Sequence, residues 1–147
     1  MKVFILIFSI VIALVCFWAG FKMIALYVKV KKSWVTPEAS VLSKKVEKLV
    51  RSSSRASHAV RVEYQYEYQS KKYTGNKVYL AELLNGQVDQ MEADAQKVVD
   101  KLPEKITVYV NPENPEQSVI YCSGIGWYVL IVVMGFVSLL VGIAKFI

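Results

Sequence analysis

The sequence predicts an α+β membrane protein, with two transmembrane helices flanking a small antiparallel β domain that has one covering helix. Three observations carry this prediction. Of 147 residues, 54% are hydrophobic, and the excess sits in two uncharged runs near the ends, Val3 to Phe21 and Gly126 to Ala144. Between them, "AVRVEYQYEYQ" at 59–69 alternates apolar and polar residues with a period of two. Downstream, "DQMEADAQKVVDKL" at 89–102 carries one apolar stripe at helical spacing. The expected layout is a first membrane helix with a basic extension over 1–30, a mainly antiparallel α+β domain over 31–124, and a second membrane helix over 125–147.

Each apolar run is long enough to cross a bilayer core, which takes roughly 20 residues of helix. A helix also pairs its own backbone groups where no water is available. A chain this short has too little surface to enclose two such helices in a soluble core. Lys2 ahead of the first run resembles the start of a signal peptide, but Phe17 and Trp18 stand where small residues should precede a cleavage site, so an uncleaved anchor is expected. The pattern continues through "KMIALYVKVKK", where Lys22 can snorkel its ammonium to the headgroups. Trp18, Tyr27, Trp34, Trp127 and Tyr128 suit an aromatic belt. Ser9 and Ala13, like Ser138 and Gly142, are spaced four apart, which allows close helix packing within the hairpin or between copies of the chain.

The polar middle is asymmetric in charge. Residues 22–61 carry ten basic and two acidic side chains, whereas residues 62–125 carry six and ten. Lys29, Lys31 and Lys32, with Trp34 and Trp127, are candidates for lipid headgroup contact. Lys44, Lys45, Lys48, Arg51 and Arg55 read either as a solvated face or as part of that basic patch.

"EASVLSKKVEKLV" at 38–50 fits a strand or a helix, and "RSSSRASH" at 51–58 reads as loop. In the alternating stretch, Tyr64, Tyr66 and Tyr68 share one face and Glu63 and Glu67 the other. "SK" at 70–71 turns the chain into "KYTGNKVYL", where Gly75 and Asn76 suggest a bulge or bend. Asp89 can cap the helix at 89–102, with Glu92 completing a capping-box pair. Met91, Ala95, Val98, Val99 and Leu102 form its stripe, and Pro103 stops it. "KITVYV" at 105–110 reads as one strand, Asn111-Pro112 and Asn114-Pro115 as a tight reversal, and "SVIY" at 118–121 as extended chain leading to the second membrane helix.

Trp34, "YQYEY" at 64–68, "YTG" at 73–75 and "ITVYVNPENPEQSVI" at 106–120 together resemble the bacterial membrane-protein family catalogued as domain of unknown function 3592. Asn111 stands where that pattern usually has Asp, "PEK" at 103–105 lacks its common Gly, and no Gly follows the "YEY" strand. The resemblance implies a membrane-anchored β domain and no particular activity.

The sequence offers no catalytic constellation and no cofactor or metal motif. His58 is the only histidine, with no Cys or second His near it in sequence, whereas metal sites and triads need partners. Cys16 and Cys122 would lie at different depths and do not suggest a disulfide. Glu63 and Glu67, about 13–14 Å apart along a strand, are too far apart to cooperate. The tyrosines Tyr64, Tyr66, Tyr68 and Tyr73 read either as a packed stripe under the covering helix or as a partner surface. The expected partners are the lipid bilayer, another protein, and a further copy of the chain through Ser9, Ala13, Ser138 and Gly142, with no nucleic acid. The functional expectation is a non-enzymatic binding module of envelope accessory or immunity type. The alternative is a structural or anionic-lipid-contacting component, with an enzyme subunit ranked last. Two spans put both termini on one side of a plasma or bacterial inner membrane. The lysines flanking the two runs point in opposite directions, and the reading leans to a domain outside the cytoplasm.

Overall fold

The computed structural model describes residues 2–50 and 57–146; of the loop expected at 51–58, residues 51–56, with Arg51 and Arg55, lie outside the described residues, while Ser57 and His58 belong to a strand that pairs with its neighbours. The chain divides into two compact units, one of residues 1–29 with 124–147 and one of residues 30–123.

Helix α1 (Lys2–Ser33), as far as Lys29, and helix α3 (Ile125–Phe146) account for the first unit. Both are long and apolar enough to cross a membrane, and only 17% of the most apolar window of each is buried. Their large side chains therefore face outward, unlike those of a core helix. The two pack antiparallel through small residues. Gly20 lies against Tyr128 and Val132, Gly135 against Cys16 and Phe17, and Gly142 against Ser9. A side chain at Gly142 would put its first carbon 2.6 Å from that of Ser9. Phe17 and Phe136 rings lie 4.7 Å apart, and the Ser138 hydroxyl donates to the Ser9 carbonyl at 3.4 Å. Ser9, Ala13, Ser138 and Gly142 are thus engaged or enclosed within one chain.

In the second unit, β1 (Glu38–Leu49), β2 (Ser57–Tyr68), β3 (Lys71–Gly75) and β4 (Lys105–Thr107) form an antiparallel sheet in the order β3-β2-β1-β4. The ambiguous segment 38–50 is therefore a strand. Its valines did not look like one because a bulge interrupts it: Val41 faces Tyr64 and Ser43 faces Glu63, leaving Leu42 as the extra residue. The bulge lies here and not at Gly75–Asn76. The β2–β3 turn is made by Gln69 and Ser70, both at positive φ (50° and 62°), one position earlier than the "SK" expected to turn. Two positive φ values give a turn whose twist matches the strands it joins.

Helix α2 (Glu92–Lys101) packs on β1 and β2. Its cap differs from expectation: Met91 occupies the N-cap position without a side-chain bond, and Asp89 stands two residues before it. The reason is non-local. Gln90 exchanges backbone hydrogen bonds with His58 at 3.0 and 2.8 Å, which holds the chain extended up to the helix. Ala95, Val99 and Leu102 are buried, whereas Met91 is exposed. Lys44 reaches across the sheet's inner side and donates to the Leu102 carbonyl at 2.6 Å, satisfying an acceptor at the end of α2.

The strand expected at 105–110 is broken into β4 and β5 (Tyr109–Val110), because the Val108 N–H turns to the Pro37 carbonyl. Strand β5 pairs with β6 (Ser118–Val119) in a second, two-stranded sheet, and Val110 also pairs with Val35. Ile106, Val108 and Val110 remain on one buried side. They join Val60, Val62, Tyr64, Tyr66, Val78 and Ile120 in a single core.

Candidate binding face

The strand alternation that buries one side of the sheet exposes the other. On β2 the outward residues are Arg61 and Glu63. Across the register Arg61 faces Lys45 and Glu63 faces Ser43. The Leu42 bulge makes this possible, since without it Ser43, Lys45 and Glu47 would continue the inward face of Ala39 and Val41. These residues line one side of an open groove of about 690 Å³, which passes over Thr74 on β3 and ends at a 3-10 turn (Leu80–Leu84) and the Asn85-Gly86 corner. A second hollow of about 240 Å³ shares Thr74, Asn76 and Lys77 and ends at Glu116 and Gln117 in the proline loop.

The groove is polar, with Lys45, Arg61 and Lys77 balanced in number by Glu47, Glu63 and Glu82. Arg61 donates to the Glu47 carboxylate. That hydrogen bond, followed by the Arg61 charge, holds the Glu47 carboxyl below its usual range. The Glu82 carboxylate accepts the Val78 N–H at 2.8 Å. Ser43, Thr74, Asn76, Asn85 and Gln87 offer hydroxyls and amides, each both donor and acceptor. Such a lining suits an extended polar ligand and gives an acyl chain nothing to cover.

Two of the four tyrosines proposed as a partner surface are placed elsewhere. Tyr64 and Tyr66 are fully buried, because β2's apolar side faces the core. Tyr64 shares a hydrogen bond with Ser118 and donates to the Lys77 carbonyl at 3.1 Å. Tyr66 donates to the Pro115 carbonyl and stacks on Tyr73 with ring centroids 5.8 Å apart. Tyr68 and Tyr73 are half-buried. Burial raises the phenol pKa values of Tyr64, Tyr66, Tyr79 and Tyr121. Gly75 belongs to this packing, since a side chain there would collide with the Tyr64 ring and the Ser118 hydroxyl.

The proline loop is closed by its own hydrogen bonds. Asn111 donates its backbone N–H to the Gln117 carbonyl at 3.0 Å and accepts the Glu113 N–H on its side-chain oxygen at 3.0 Å. Asn114 donates to Asn111, and Gln117 to Asn114.

The headgroup candidates separate in the same way. Lys29, Lys31, Lys32 and Trp127 are exposed. Lys31 donates to the Tyr109 hydroxyl at 2.6 Å and lies over its ring. Trp34 is buried, which removes it from the headgroup set: the Val35–Val110 pair draws the chain inward just after α1 ends. The backbone of His58 is held by Gln90, and its Nε2 lies 3.9 Å from the Glu92 carboxylate. Burial raises the Cys122 thiol pKa.

Sequence reasoning did separate the two faces of β2, but it missed the groove. The signal was present in Arg61 and Glu63. Their neighbours on β1 and β3 are set by a bulge and a turn that residue periodicity does not show. Residues 37–124, more than half of the chain, match the family model described as a domain of unknown function (DUF3592). No curated protein matches the chain.

Proposed function

Because the chain belongs to this family of unknown function, we propose its role from the site alone: a non-enzymatic, membrane-anchored binding module, of envelope accessory or immunity type, whose sheet groove receives an extended polar segment of a partner protein. One observation carries this reading. The aromatic side of the domain is used up in its own core, while the opposite side keeps an open polar groove lined by Ser43, Arg61, Glu63 and Thr74.

The two outward-facing apolar helices anchor the module in a plasma membrane, the inner membrane of a bacterium. Lys2 and Lys145, at the outer ends of the two spans, favour termini in the cytoplasm and a domain outside it, against the opposite pull of Lys22, Lys29, Lys31 and Lys32 at the domain end of α1.

The test uses a photo-crosslinking residue in the full chain in cells. Placed at Lys45 or Thr74 it should capture one partner, with the adduct mapping to a polar segment; placed at Lys97 on the outer side of α2 it should not. Capture should fail in an Arg61→Glu/Glu63→Lys variant that remains folded. Equal capture from Lys97, or none from the groove, refutes the reading. Labelling of an Asn85→Cys variant, with Cys16 and Cys122 replaced, by an impermeant thiol reagent in intact cells tests the orientation; protection there would put the domain in the cytoplasm.

A further inference from the structure

Strand β1 is paired along its length on the β2 side but only at its start on the other. There β4 pairs with Glu38, Ala39 and Ser40, and the Val41 N–H donates to the Glu104 carbonyl at 2.7 Å. Among the described residues no strand flanks β1 from Lys44 to Leu49 on that side. The direction of its backbone groups follows from β2. His58, opposite Lys48, exchanges backbone bonds with Gln90 and so turns away from β1. In an antiparallel ladder the facing residue turns away as well, and every second residue does the same. Lys44, Val46 and Lys48 therefore each point an N–H and a C=O into an open lane. Lys44 and Lys48 are exposed and Val46 is half-buried.

The side chains along the lane decide what can fill it. Its carboxylate, Glu47, is taken by Arg61. Lys44, Lys45 and Lys48 form no ion pair among the described residues, and the Lys44 ammonium keeps its charge against the neutral Leu102 carbonyl. A second copy of the strand does not fit. With Val46 opposite Val46, Lys44 falls opposite Lys48; a shift to either side sets Lys45 on Lys45 or Glu47 on Glu47, and like charges directly opposite are destabilising. Lysines on an exposed edge guard against self-pairing and leave an acidic strand as the complementary guest.

We propose that this edge takes an acidic, extended segment of the partner protein as a further antiparallel strand, in the lane that β4 leaves after Ser40. The proposal rests on the binding-module reading above and adds how the segment is held, since Ser43, Lys45 and Glu47 of the same strand line the groove. Main-chain bonds to Lys44, Val46 and Lys48 hold the guest, with carboxylates opposite the lysines and an apolar side chain opposite Val46.

The full chain in detergent micelles tests this with a synthetic peptide, acetyl-Thr-Glu-Thr-Val-Glu-Glu-Thr-amide. Run antiparallel to β1, it sets its valine opposite Val46 and its glutamates opposite Lys48, Lys45 and Lys44. In the free chain the amides of Lys44, Val46 and Lys48 should exchange their hydrogens faster than those of Lys45 and Glu47, and the peptide should slow them. N-methylation of the peptide residues opposite Lys44, Val46 or Lys48 should weaken binding about fivefold each; N-methylation of those opposite Lys45 or Glu47 should not. The peptide with lysine in place of glutamate should bind roughly tenfold more weakly at low salt. No protection of the edge amides, equal tolerance of both methylation sets, or equal binding of the lysine peptide overturns strand addition. Capture of a cellular partner from Thr74 that survives Lys45→Glu with Lys48→Glu also overturns it, while the groove reading stands. No capture from the groove at all overturns both.

Discussion

The phenolic oxygen of Tyr64 lies 2.9 Å from the Ser118 hydroxyl, a buried hydrogen bond between residues 54 positions apart. It joins the tyrosine strand to the segment that follows the proline loop. Replacing Tyr64 by Phe keeps the ring and leaves the Ser118 hydroxyl without this partner. The expected loss is about 1–3 kcal/mol, read from denaturation of the full chain in detergent. Tyr66→Phe, whose bond to Pro115 is only partly buried, should lose less.

Gly75→Ala should destabilise the domain by about 1–3 kcal/mol, the usual cost of overpacking. The added methyl meets the Tyr64 ring, which is fixed at its far end by Ser118 and Lys77. Combining it with Tyr64→Leu and Ser118→Gly, which remove both the ring and the hydroxyl that the methyl would meet, should make the glycine change nearly neutral. A thermodynamic mutant cycle checks this coupling.

Alkali should unfold the domain before it would unfold a protein with exposed tyrosines. Burial holds the phenols of Tyr64, Tyr66, Tyr79 and Tyr121 above their usual pKa of 10.0. A raised folded-state pKa gives stability that is complete below the unfolded value and is lost as pH rises toward the folded one. Stability should therefore begin to fall near pH 10, with tyrosinate absorbance rising together with loss of structure. Tyr64→Phe should make this fall shallower.

Acid acts on the other face. Arg61 holds the Glu47 carboxyl below its usual 4.5, so this contribution is present above pH 4.5 and is lost as pH drops through the folded value. The stability difference between wild type and Arg61→Gln should be visible at pH 7 and close as the solution is acidified. Both side chains are exposed, so the difference should be small.

The helix pair can be tested through Ser9 and Ser138, whose groups already touch. With Cys16 and Cys122 replaced, Ser9→Cys and Ser138→Cys in one chain should form an intramolecular disulfide on mild oxidation. Bridging between chains only, on a denaturing gel, would contradict the pairing of α1 with α3.

Much of the architecture was legible in the sequence because it depends on local pattern. The two uncharged runs give α1 and α3, the alternation around Tyr64 gives β2, and Pro103 marks the end of α2. The remainder is set by contacts between segments distant in sequence. The α2 start shifts because Gln90 is paired with His58. The strand after Lys105 breaks because Val108 turns to Pro37. Trp34 looked interfacial until the Val35–Val110 pair pulled it inside. For Tyr64 and Tyr66 the alternation could define a face but not say what covered it. The groove needed the pairing of three strands, and the five-residue gap between Val41 and Val46 was the one visible trace of the irregularity that sets it.

That single extra residue is absorbed by the bulge alone. Loss of the codon for Leu42 would remove the bulge without turning Ser43, Lys45 or Glu47 inward, because Ser43 would then follow Val41 directly and keep its place opposite Glu63. Loss of Val50 beyond the strand's end would leave that placement unchanged. Either shortened chain would thus present the same polar rim to whatever the domain meets.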